Sequence, residues 1–123
     1  MKGGAPVLIV AALAAGSAAR AQDEGLAADV AGLRLATCAA FWQGYADVLG
    51  DDGERALAAK FRDEAVRLAG EAEAVALIEE RRPWMRDLMV AYIHHQDDQS
   101  RDLFERLVTD CGRISADLPA ADR

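Results

Sequence analysis

Cysteine and histidine are scarce in this chain, and the motifs that would put either to chemical use are missing. Two of each occur in 123 residues. No C-x-x-C pair tunes a thiol for redox work, and no C-x-x-C-H sequence offers covalent haem attachment. A non-covalent haem wants His or Met ligands on facing helices. Here Met85 and Met89 share one stripe, and both histidines lie in the same segment. The Glu-x-x-His pairs of a di-iron site are absent. No serine stands in a recognisable nucleophile motif with a histidine and an acid. The acid pairs Asp51-Asp52, Glu79-Glu80 and Asp97-Asp98 fall at turns or on charged helix faces, where capping and solvation account for them. The expectation is a protein that uses no cofactor and is not an enzyme.

Long apolar runs are lacking too. The apolar stretch from Ala5 to Ala15 is about half of the roughly 20 residues that span a bilayer. It follows a short positive start at Met1-Lys2 and precedes the small residues around Ala19-Arg20-Ala21, the small-x-small pattern of a signal-peptidase site. Residues 1–21 therefore read as a cleaved export signal, an uncleaved membrane anchor being the alternative. Neither a twin-arginine pair nor a cysteine at the cut points to other export routes or to a lipoprotein. Residues 22–118 read as one helical domain and 119–123 as a short tail. Cleavage removes two of the 14 basic residues and none of the 21 acidic ones, moving the formal charge from −7 to −9. That balance repels nucleic-acid phosphates and anionic lipid. It leaves cationic partners and metal ions open.

Both cysteines, Cys38 and Cys111, belong to the exported part. Export places thiols in an oxidising compartment, periplasmic or extracellular, where a lone pair is most simply a disulfide. In the chain-entropy model a loop of roughly 70 residues is worth roughly 4 kcal/mol.

Alanine dominates the apolar count, and alternating β-branched runs are missing, which favours helix. Four segments carry helical periodicity. The first spans about Asp23 to Leu49, with Leu26, Val30, Leu33, Thr37, Phe41 and Val48 as its stripe; Gly50 ends it. Asp51 and Glu54 form a capping box for the second, whose stripe is Leu57, Phe61, Ala65, Leu68 and Ala72, with Gly70 as a soft point. The third spans about Glu71 to His95. Pro83 either kinks it or starts a new helix, and the unbroken phase of Val75, Ile78, Met85, Met89 and Ile93 favours one kinked helix. The fourth spans about Asp98 to Asp117 on Leu103, Leu107, Cys111, Ile114 and Leu118. Short connections make this an all-α, up-down antiparallel four-helix bundle, its first and last helices stapled by Cys38 and Cys111.

Three groups of residues are candidates for function. Trp84, Leu88 and Tyr92 widen the apolar arc of the third helix beyond the usual stripe. They make either a buried seam between two neighbours or a face for a protein partner. His94, Asp97 and Asp98 are the only ligand-like cluster, although a helix C-terminus and an N-cap explain them without metal. Phe41, Trp42 and Tyr45 form an aromatic knot beside Cys38, either core or the wall of a small apolar pocket. In size and cysteine number the chain resembles the acid-stress chaperones of the bacterial periplasm, a likeness that covers no motif. The leading expectation is an exported accessory protein that acts through an apolar helix face on a periplasmic partner. A small-ligand or metal carrier and a stress chaperone are the alternatives. Oligomeric state is not legible.

Overall fold

The computed structural model describes residues 4–50 and 52–118, with side chains described from Ala28 onward. The chain forms α1 (Gly4–Leu49), α2 (Asp52–Ala69), α3 (Glu71–Val90), a π turn (Ala91–His95) and α4 (Asp98–Ser115). They pack as the expected up-down bundle. Gly50 and Gly70 make the first two reversals at φ 69° and 90°, a region glycine enters without Cβ strain. The capping box expected at Asp51 lies outside the described residues.

The first helix differs from its sequence reading in extent and in burial. A single helix covers Gly4 to Leu49, including the stretch read as an export signal. Val30, placed on the inward stripe, is 56% exposed, while Leu35, Ala36, Cys38, Ala39, Ala40, Phe41 and Trp42 are buried. α1 is touched by α2, α3 and α4, so its inner half is covered nearly all round. Val30 lies at the outer end of the packed stretch, where Gly32 meets Ala69, the last residue of α2. One amphipathic stripe cannot describe a helix with three neighbours. Close approach needs small residues. A Cβ on Gly32 would lie 2.6 Å from Ala69 Cβ of α2, and one on Gly44 would lie 2.8 Å from Met85 Cβ of α3.

The second helix ends at Ala69, so Ala72 falls in the first turn of α3, where it is exposed. Phe61 and Ala65 carry its buried face. The third helix runs through Pro83 without ending. Proline removes one backbone donor there. Contacts on either side hold the helix: Arg82 donates to both Asp47 carboxylate oxygens at 2.7 and 2.9 Å, and Met85 is buried against α1.

The fourth helix is fastened more sparingly, with Phe104 and Cys111 as its only buried residues. Cys111 is disulfide-bonded to Cys38 with a Cα separation of 5.5 Å, well inside the range such a bond requires. Phe104 closes an aromatic cluster, 5.6 Å from Phe41, 6.1 Å from Tyr45 and stacked 4.0 Å over Tyr92. Among the described residues no helix is long and apolar enough to cross a membrane.

Candidate functional site

The three residues of the candidate partner face separate by burial. Leu88 is 7% exposed and belongs to the core, whereas Trp84 is 47% exposed. Tyr92 is half-buried against Phe104. The π turn contributes to this placement. Its backbone closes with Gln96 N–H donating to Ala91 O at 2.9 Å, a reach of five residues, and Gln96 takes a left-handed φ of 53°. Such turns interrupt an α-helix at an energetic cost and recur at functional positions. This one reverses the chain so that α4 returns over Leu88 and Tyr92. Covered from one side, the wide apolar arc becomes mostly seam. Trp84 stands at its open margin.

That margin is a groove of about 240 Å³ between α3 and α4, lined by Trp84, Asp87, Leu88, Gln99, Ser100 and Leu103. Trp84 and Asp87 sit three residues apart, a spacing that puts both on one helix face. Leu88 and Leu103 make an apolar lining, and Gln99 and Ser100 add polar groups from the first turn of α4. Asp87 is the only charged residue of the lining. No ion pair is formed by its carboxylate among the described residues, and by spacing its helical neighbours are Pro83, Trp84, Val90 and Ala91, none of them basic.

The ligand-like cluster does not assemble. His94 and His95 are exposed in the π turn. Asp97 caps α4, accepting from Ser100 N–H at 2.9 Å, and that hydrogen bond holds its carboxyl below the usual carboxylate range. Asp98 pairs with Arg101 at 2.8 Å. Both aspartates thus do the helix-start work that sequence allows them. Among the described residues no three His, Cys, Asp or Glu side chains converge as a metal ion would need.

The aromatic knot is core rather than pocket wall, with Phe41 and Trp42 buried and 5.0 Å apart. The buried Trp42 indole N–H has no hydrogen-bond acceptor among the described residues. A different apolar recess does exist. It is a groove of about 220 Å³ between α1, α2 and α4, with Leu35, Leu68, Ile114 and Leu118 in its lining and Arg34 and Asp117 beside them. Neither Asp87 nor this second groove was singled out by sequence reasoning. Asp87 looks like any exposed acid until α4 is seen to pass beside it, and the second groove needs three helices in register.

Compared with family models, with curated proteins and with solved structures, this chain matches none.

Proposed function

We propose that this chain is an exported, non-enzymatic accessory protein that receives a protein partner in the α3–α4 groove beside Trp84. One observation carries the reading: the largest side chain of the third helix is left half in solvent at the mouth of a groove lined by Leu88 and Leu103. Exposed tryptophan beside an apolar recess is the composition of an interface centre. The export half of the reading is supported by the signal-like start and by the Cys38–Cys111 bond, which persists in oxidising compartments and is rare in reducing ones.

The test uses the disulfide-bonded chain as bait in a native envelope fraction, beside Trp84→Ala and Leu103→Asp. A partner retained by the parent and lost with both variants is the expected result. Capture that is identical for all three removes the groove from the reading.

A second reading rests on the α1–α2–α4 groove, whose lining is mostly apolar and suits a small hydrophobic ligand. It expects a rise in thermal midpoint on adding such a ligand, lost in Leu35→Asp. An unchanged midpoint across a panel of apolar ligands removes it.

A further inference from the structure

We infer that the α3–α4 groove recognises an arginine side chain presented by a partner protein, an inference that rests on the docking reading above and names its chemistry. Every feature of an arginine has a counterpart in the lining. Trp84 offers an indole face, on which a guanidinium stacks more favourably than an ammonium. Asp87 offers an unpaired carboxylate on the same helix face, able to accept two parallel N–H bonds from the guanidinium fork. Leu88 and Leu103 line the path of an aliphatic stem, which covers apolar surface while its charged end stays polar. Gln99 and Ser100 supply acceptors for the remaining donors.

The charge pattern favours a cation over other occupants. The lining carries one formal charge, and it is negative. Arg101, in the first turn of α4, is already engaged by Asp98. The positive end of α4 is neutralised by the cap from Asp97, which binds Ser100 N–H. A purely apolar side chain would bury Asp87 without compensation, a cost that an arginine avoids. The whole chain is acidic, at −7, so a basic segment is also drawn to it at long range.

The experiment titrates the isotope-labelled, disulfide-bonded chain with an alanine-rich helical peptide carrying one central arginine. Parallel arms use the same peptide with lysine, glutamine or glutamate there, and free arginine amide. The readouts are the Trp84 indole N–H resonance and peptide anisotropy. Saturation by the arginine peptide is expected, weakened several-fold with lysine and abolished with glutamine or glutamate. Asp87→Asn and Trp84→Ala should each weaken it about tenfold while circular dichroism and the absence of free thiol stay unchanged. The inference is overturned if the glutamine peptide binds as tightly as the arginine one, or if Asp87→Asn has no effect. It is also overturned if arginine amide binds as well as the peptide, or if the resonance moves only with self-association. Should Trp84→Ala still abolish partner capture from the envelope while no peptide binds, the docking reading stands and the arginine assignment alone falls.

Discussion

Gly44 is the residue whose substitution reports most directly on how α1 is packed. A Cβ there would meet Met85 Cβ at 2.8 Å and the α3 backbone at 3.0 Å, atoms that cannot swing aside. Overpacking of this kind forces backbone movement and costs about 1–3 kcal/mol. Gly44→Ala should therefore lower the unfolding free energy by that amount, and the urea midpoint with it, even though alanine is the better helix former. An unchanged or raised midpoint would mean that α1 and α3 are further apart. Gly112 is a control, since a Cβ there meets nothing within 4 Å, and Gly112→Ala should gain the ordinary helix propensity of alanine. In sequence these glycines are indistinguishable, because the distance to a neighbouring helix leaves no local trace. The same holds for Trp84 and Leu88. Both lie on one wide apolar arc, and only the course of α4 decides which is covered.

At the scale of elements, α1 and α3 are clamped by Asp47 and Arg82 across a partly buried bidentate contact. The hydrogen bonds from Arg82 hold the Asp47 carboxyl below its ordinary 3.8, outweighing desolvation, which pushes the other way. A carboxylate depressed in the folded state adds stability that is complete above its unfolded value. That stability is lost as pH falls from about 3.8 through the folded value. For a contact this open to solvent the contribution is about 1 kcal/mol. Asp47→Asn should thus cost about that much at pH 7 and progressively less as pH falls below 3.8, read as unfolding free energies from urea titrations across that range. An equal penalty across the range would remove the ion pair from the account. Of the elements themselves, the helix count, their order and the loops between them were legible, since period and turn residues are local properties. Pro83 lies inside one helix, as the unbroken phase of Ile78, Met85 and Met89 implies. The π turn was not legible: sequence marks the end of that helix by Gln96-Asp97-Asp98 but not the extra residue in its last turn. The stripe assigned to α1 failed at Val30, which lies at the outer end of the packed stretch, where Gly32 already meets the last residue of α2.

Across the molecule, attachment is uneven. The first three helices meet at close, alanine- and glycine-lined contacts, whereas α4 buries only Phe104 and Cys111. A covalent bond therefore carries a large share of what keeps α4 in place. Removing it with Cys111→Ser should cost about 4 kcal/mol in the chain-entropy picture. Hydrogen exchange should show α4 amides losing protection before those of α2 and α3. Uniform loss along the chain would place α4 in the same cooperative unit. Since the candidate groove has one wall on α4, the same variant should lose partner capture along with that protection.

The bridge joins positions 73 residues apart, and this separation sets an order of events. When Cys38 leaves the ribosome its mate has not been made, and α2, α3 and the π turn must all follow before Cys111 exists. The hairpins of α1 with α2 and of α2 with α3 thus have every opportunity to form while still reduced. With two cysteines only one bridge within the chain is possible, so oxidation seals this topology instead of choosing it.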